Sequence, residues 1–455
     1  MPYKILAIDV GTTNFKMGIF DESLTMEEVY QQNYGVDIFN EEKAEIDPEI
    51  WWQQLVKGCR SFGKKLAEVD FVSFSVTTPG LVAMDENGNA LTKAILFLDQ
   101  RSHSQALAIR TRIGEKKLLE KACNLPVSGG SSLSSILWIK KNLPEVYSKT
   151  FKFGHTNTFL IHKLTKKWAI DPSTTSITGL YNTRDNDLSW NSEFLKDLNL
   201  SEDQLPELYQ SFQSVGQIDP EVAGLTGLPS SCKVLCGGND AVLSAFSAGI
   251  NKPGDILHIS GTCDIMMVCL DRPVGSAGYN IRSHILPGLW MTLFVQNTGG
   301  KSLEWFQSVF CSEMTDEQFY NEYIPKVIEN KVREDIPFYE PYLQGSRYSV
   351  QALKASFSGI DVNTSRDDFL LAVLKGNNLY MSSHLSEVSE VVKLSSKMKL
   401  TGGAQNIRNM DLVKRKWIGD YQFEYVDQSS LQGAAMLGKL YFENFNNQQN
   451  DDSFS

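Results

Sequence analysis

Two stretches of the chain repeat one local design, and that repeat constrains the fold more than any other feature. Residues 4–21 read KILAIDVGTTNFKMGIFD, and residues 255–271 read DILHISGTCDIMMVCLD. Each is an apolar run, a small polar turn containing Gly-Thr, and a second apolar run, which predicts a hairpin. One such hairpin in each half predicts two related lobes facing each other across a cleft. A length of 455 residues is too great for one core and also predicts two domains.

Strand and helix text alternate in both halves, which indicates an α/β fold. In EIDPEIWWQQLVKGCRSFGKKL, Asp47 is expected as the N-cap and Pro48 as the first helical residue. VDFVSFSVTTPGLVAM reads as strand, turn at Thr77 to Gly80, strand. AILFLDQRS is a short buried strand ending in charges, and helical text runs from Ser102 to about Ala122. KVLCGGNDAVLSAFSAGI reads as strand, Gly-Gly turn, helix. AGINKPGD (248–255) carries Gly and Pro just before the second hairpin, so the boundary is placed there. The expected division is 1–247, 248–444 and a polar tail, 445–455, expected to be disordered.

Composition narrows the function. A net charge of -11 argues against nucleic acid or an anionic membrane as the main partner. No run approaches the length of a spanning helix, and MPYKILAIDV already reads as a strand. The seven cysteines fit no zinc spacing and read as reduced thiols, so a cytoplasmic location is expected. A homodimer is carried as an expectation for its assembly. NTGGKS (297–302) ends like a P-loop, but Val295 stands where the first glycine is required. A helix N-terminus at Gly299-Gly300 is the preferred reading, and it favours an anion nearby.

The repeated turns offer another way to hold phosphate. Glycine lets the backbone approach closely, and successive turn amides can form a concave anion site. Thr12, Thr13 and Thr262 add hydroxyls, and two such loops could hold a triphosphate between them. Asp9 would repel that phosphate unless a cation lay between, which points to Mg²⁺ held mostly through water and phosphate oxygens. Asp240 in GGND has two readings: a carboxylate at the floor of a cleft, or the N-cap of AVLSAFSAG.

Read together, these segments resemble the FGGY family of carbohydrate kinases, within the actin, hexokinase and Hsp70-like ATPase fold. AIDVGTTNFK is similar to the family's first phosphate loop and ISGTCD to its second. EIDPEIWW, LTKKWAIDPSTTSITGLYN, GGNDAV, PFYEPYLQGSR and LTGGAQN follow in the family's order. The resemblance implies two actin-like, ribonuclease H-like lobes around a central cleft and ATP-dependent phosphorylation of a sugar, sugar acid or polyol. It implies Asp240 as general base and Asp9 as the acid on the Mg²⁺ side. Gly11, Thr12, Thr13 and Asn14 are implied at the phosphates, with Gly261 and Thr262 facing them. Gly402, Gly403 and Gln405 are implied near adenosine, with Gly299 and Gly300 nearby.

On the sugar side, LFLDQRS is similar to the xylulokinase-like pattern, so Asp99 and Arg101 are candidates for hydroxyl contacts, a surface ion pair being the alternative. Thr77 and Thr78 stand where xylulokinases commonly show Met-His and glycerol kinases Arg-Glu, which argues against glycerol. One tryptophan of the Trp51-Trp52 pair is a candidate to face the cleft. The implied substrate is a ketopentose such as D-xylulose; the rivals are L-fuculose, ribulose, gluconate or a tetritol. A rival of another class is an actin-like or chaperone-like ATPase, which GGND together with EIDPEIWW disfavours.

Overall fold

The computed structural model describes residues 2–39, 42–331, 335–349, 353–427 and 429–452. The first hairpin joins β1 (Ile5–Val10) to β2 (Asn14–Phe20), and β3 (Met26–Asn33) continues antiparallel from β2. On the other side of β1 lies β4 (Phe71–Val76), parallel to it. Beyond β4 come β5 (Ser214–Gln217) and β6 (Lys233–Leu235), giving the order β5-β6-β4-β1-β2-β3.

The second hairpin joins β7 (Ile256–Ser260) to β8 (Asp264–Leu270), followed by β9 (Asn280–Ser283) and β10 (Trp290–Gln296). β11 (Lys397–Thr401) runs parallel to β7, and β12 (Gln422–Tyr425) runs parallel to β11. The order is β9-β10-β8-β7-β11-β12. Each sheet therefore has its founding strand inside, an antiparallel hairpin on one side and two parallel strands on the other, to which the first sheet adds β5, antiparallel to β6. This is the doubled actin-like ATPase architecture.

Strand parity decides what β1 shows to each face. Leu6, Ile8 and Val10 enter the core built with the helix Pro48–Phe62. Ile5 and Ala7 enter the opposite core, built with the helix Asp240–Ser247 and the C-terminal helix Ser430–Asp452. The same alternation sends Asp9 to the face that carries Asp240. Asp47 caps the helix Pro48–Phe62 by accepting from the Glu49 amide, with Pro48 in its first turn.

Two expectations change. The helical text after Ser102 forms two helices, His103–Ile113 and Glu115–Lys121, because Gly114 between them takes a left-handed φ of 91°. The C-terminal helix also runs on to Asp452, so the expected disordered tail begins as helical backbone. That helix returns to the first sheet and lies against β1 and β4. Its Leu431, Ala434, Ala435 and Leu437 are buried there, and Gly438 admits Ile5, whose Cγ1 would lie 2.7 Å from a Cβ.

The lobes are also sewn together beside β9. Asn124 behaves like a strand partner: its Oδ1 accepts from the Ile281 amide and its Nδ2 donates to the Ile281 carbonyl, both at 2.9 Å. The Ser283 amide donates to Ser176 Oγ at 2.8 Å, and Trp290 Nε1 donates to the Thr183 carbonyl at 2.7 Å. Among the described residues no helix is long and apolar enough to cross a membrane.

Candidate active site

The first turn closes through a 2.9 Å hydrogen bond from the Gly11 amide to the Asn14 carbonyl. Tyr34 Oη donates to the Gly11 carbonyl. Thr13 stays exposed and Thr12 half-buried. The second turn repeats the device one residue tighter, the Gly261 amide donating to the Cys263 carbonyl at 3.1 Å, with Thr262 exposed. Both loops keep hydroxyls and backbone at the surface where an oxyanion would meet them.

Gly299 and Gly300 open the helix Gly300–Phe310, as expected, but its first amides are not left for an anion. Gly300 donates to the Gly261 carbonyl at 2.8 Å and Lys301 to the Thr262 carbonyl at 3.3 Å. A Cβ at Gly299 would lie 2.5 Å from Asp264 Cγ, and one at Gly300 2.7 Å from the Gly261 carbonyl oxygen. The pair is glycine because the second loop rests directly on it.

Gly402 follows β11 with a φ of 100°, and a Cβ there would lie 2.3 Å from the Ser260 carbonyl oxygen. Gly403 opens a 3₁₀ turn with open space around it. The Gln405 backbone belongs to that turn; its side chain lies outside the described residues. Gly402→Ala should therefore strain the loop and push on β7. We expect a stability loss of about 1–3 kcal/mol and a raised KM for ATP, read by thermal melts and steady-state kinetics.

Asp9 stands at the end of β1. Its Oδ1 is buried with no hydrogen-bond partner; burial pushes the carboxyl up to about 6, the Ser75 and Ser430 hydroxyls hold it back, and the charge of Asp240 adds to the rise. A buried carboxylate oxygen without a donor is costly in the bare protein and suits a cation. No group of three or more His, Cys, Asp or Glu side chains among the described residues could hold a metal alone. The residues present therefore fit a Mg²⁺ ion that takes one carboxylate and draws its other ligands from phosphate and water.

Asp240 is the first residue of its helix and not its cap. Asn239 caps it, its Oδ1 accepting from the Val242 amide at 3.2 Å. The Asp240 carboxylate is left free of capping, and its Oδ2 accepts from Thr77 Oγ1 at 2.7 Å. Oδ1 accepts from Asn239 Nδ2 at 2.9 Å and from the Ala241 amide at 2.8 Å. Burial raises its pKa above the ordinary aspartate range, while Thr77, the Ala241 amide and the Arg282 charge hold it back. A fixed carboxylate with a raised pKa is suited to accept a proton.

Thr78 Oγ1 accepts from Asn239 Nδ2 at 2.9 Å and from Arg282 Nη1 at 3.0 Å. Trp51, buried, lines a narrow recess with Gly11, Thr12, Thr77, Phe97 and Thr156, whereas Trp52 packs against the first core. Arg347 of the second lobe lies 5.2 Å over the Phe97 ring and donates from Nε to Asn297 Oδ1 at 2.7 Å.

Asp99 and Arg101 are not a surface ion pair. Asp99 is fully buried, its Oδ2 accepting from the Ala44 amide at 2.9 Å and its Oδ1 from the Arg101 amide at 3.0 Å. Arg101 Nη2 ion-pairs with both Asp99 and Glu45 at 2.6 Å. The pair is a buried brace tying residues 97–101 to the strand Lys43–Ile46, and the Asp99 carboxylate is committed to the protein.

Three residues escaped the sequence reading. Asn239 does the capping, which a Gly-Gly-Asn-Asp string does not assign between its two side chains. Lys414 is buried beneath the second loop, donating to Ser260 Oγ at 3.0 Å and to His258 Nδ1 at 3.1 Å. Burial lowers its pKa, with Asp264 opposing. Arg282 reaches the first lobe from β9, and a single basic residue in strand text gives no local signal of that.

The family model for the FGGY family of carbohydrate kinases, N-terminal domain, matches residues 4–247. A xylulose kinase of Staphylococcus xylosus is 26% identical over 453 residues, covering 97% of this chain and 92% of the relative. A gluconokinase of Bacillus subtilis (strain 168) is 26% identical over 391 residues, covering 83% of this chain and 75% of the relative. A solved ligand-bound xylulose kinase from Lactobacillus acidophilus superposes with a TM-score of 0.89 at 21% identity, over 97% of this chain and 90% of that one. This last likeness is one of fold.

Proposed function

The chain belongs to the FGGY family of carbohydrate kinases, and from that premise we propose that it transfers the γ-phosphoryl group of ATP to a hydroxyl of a ketopentose such as D-xylulose. The observation that carries the reading is the carboxylate of Asp240. It is freed from capping by Asn239, held by Thr77, whose hydroxyl lines the recess beside the first loop, and raised in pKa by burial.

In this reading Asp240 orients the acceptor hydroxyl and takes its proton as the oxygen–phosphorus bond forms and the bond to the ADP oxygen breaks. The loops at Gly11–Asn14 and Gly261–Thr262 present amides and hydroxyls to the phosphates, and the Gly402-Gly403 turn receives adenosine. Asp9 would hold Mg²⁺, which when bound neutralises charge on the phosphate oxygens. The recess beside Trp51 and Thr77 adjoins the first loop, which supports the sugar lying against the first lobe. The name D-xylulose rests on the xylulose kinases among the relatives.

The test is ATP consumption measured over ketopentoses, deoxyketoses, aldonates and polyols. We expect weak hydrolysis without sugar and a large stimulation by one class, since a site that closes over sugar excludes water from the transfer. Turnover indifferent to every sugar would refute the kinase reading. A clear preference by kcat/KM for a deoxyketose would refute D-xylulose alone.

A further inference from the structure

Lys414 is 4% exposed and sits on the helix Met410–Trp417, which follows the Gly402-Gly403 turn. Its Nζ donates to His258 Nδ1 at 3.1 Å and to Ser260 Oγ at 3.0 Å. His258 and Ser260 share one face of β7, and His258 Nε2 lies 3.2 Å from Ser260 Oγ. An ammonium only donates, so Nδ1 accepts. Burial holds His258 neutral, which puts its one ring hydrogen on Nε2, facing Ser260. Ser260 Oγ therefore takes two donors, and its own hydrogen is left for the Asp264 carboxylate.

Ser260 and Asp264 are the two stems of the second loop. They pair across β7 and β8, and only Gly261, Thr262 and Cys263 lie between them, with Thr262 exposed. The network therefore ends beneath a turn that solvent reaches. Gly402 meets the Ser260 backbone from the adenosine side, and Gly299 meets the Asp264 carboxyl carbon. Asp264 is half-buried; burial raises its carboxyl to about 6, while the Lys414 charge and the Ser260 hydroxyl hold it back. Burial in turn lowers Lys414 to about 8 against the charge of Asp264. A buried ammonium is costly to keep. What this one offsets is an acid at the foot of a loop read as a phosphate site.

Resting on the sugar-kinase reading, we propose that Lys414 is a positioning residue for ATP. Through His258 and Ser260 it sets the stems of the second loop, and its charge offsets Asp264 so that the loop can receive an anion. It touches no substrate itself. Without that cation Asp264 must either stay charged beside the phosphates or take a proton and become a donor toward Ser260. Both outcomes unset the loop, the first by repulsion and the second by reversing the bond that holds its stems.

The experiment measures Mg²⁺-ADP binding by calorimetry, and KM for ATP and for sugar by a coupled assay. The proteins are the wild type, Lys414→Met, Lys414→Gln, Asp264→Asn and the double variant Lys414→Met/Asp264→Asn. Lys414→Met should weaken Mg²⁺-ADP binding and raise KM for ATP by about tenfold or more, the worth of a charged hydrogen bond, with KM for sugar little changed. Asp264→Asn in that background puts a neutral acceptor of the same shape beside Ser260 and should recover most of the loss. A lysine that only supports the fold would give neither the split between the two substrates nor the rescue. Lys414→Gln, which keeps donors but no charge, should weaken nucleotide binding likewise and carries the test if the methionine variant does not fold. Asp264→Asn alone should bind Mg²⁺-ADP at least as tightly as the wild type, and it carries the test if neither Lys414 variant folds. Unchanged nucleotide affinity in a folded Lys414 variant, an equal loss for ATP and sugar, a double variant no better than Lys414→Met, or weaker binding by Asp264→Asn would each overturn the proposal. A wild type that binds Mg²⁺-ADP yet phosphorylates no sugar of the wider panel refutes the sugar-kinase reading, and the binding measurements still decide Lys414. A wild type that binds no nucleotide refutes both.

Discussion

Replacing Asp240 by Asn should lower kcat by about 10² to 10⁴ while sugar binding stays close to that of the wild type, because loss of a positioned general base costs that much. The substitution is nearly isosteric. A carbonyl oxygen can occupy the Oδ1 position and keep the bonds from Asn239 and the Ala241 amide. The new amide group then faces Thr77 Oγ1, which can turn from donor to acceptor. The helix keeps its cap, since Asn239 supplies it. The variant should therefore melt like the wild type, bind sugar by calorimetry and fail in a coupled assay. A pH series adds an independent reading. Because burial raises Asp240, the acid limb of wild-type kcat/KM should lie above the ordinary aspartate pKa of about 4. Turnover above about a tenth of the wild type would remove Asp240 from the base role.

Asp9→Ala should separate function from stability in opposite directions. The bare protein holds a desolvated carboxylate oxygen with no donor, beside the charge of Asp240. Removing it relieves both, so the ligand-free variant should melt higher than the wild type. Use of Mg²⁺-ATP should fall by about a hundredfold or more in kcat/KM, since the ion loses its protein ligand and its orientation. Added Mg²⁺ should restore little of this, and sugar affinity should hardly move. Calorimetry for sugar, a Mg²⁺ titration of rate and a thermal melt decide the matter together. Unchanged kinetics and an unchanged Mg²⁺ dependence would exclude Asp9 from the metal site.

What the sequence made legible is local. The two hairpins showed because apolar text on both sides of a Gly-Thr turn has few other solutions, and both pair antiparallel. Asp47-Pro48 is a capping signal written in adjacent residues, and it holds. What stayed hidden depends on partners far away in the chain. Gly299 and Gly300 looked like an open helix end, but the carbonyls of Gly261 and Thr262 take their amides. The surface-pair alternative for Asp99 and Arg101 fails because Ala44 and Glu45, supplied by another strand, bury them. Arg282 gave no signal, because its meaning comes from a second lobe meeting Thr78 of the first.

The C-terminal helix bears on how the chain is made. Ser430–Asp452 is translated some four hundred residues after β1, yet it covers that strand. Until then Ile5 and Ala7 face outward from the sheet, and the helix Asp240–Ser247 lacks its neighbour. Gly433, where a Cβ would lie 2.3 Å from the Leu243 carbonyl oxygen, lets the two helices meet at backbone distance. The half of the chain that carries Asp240 therefore waits, one face unfinished, through the synthesis of the other half.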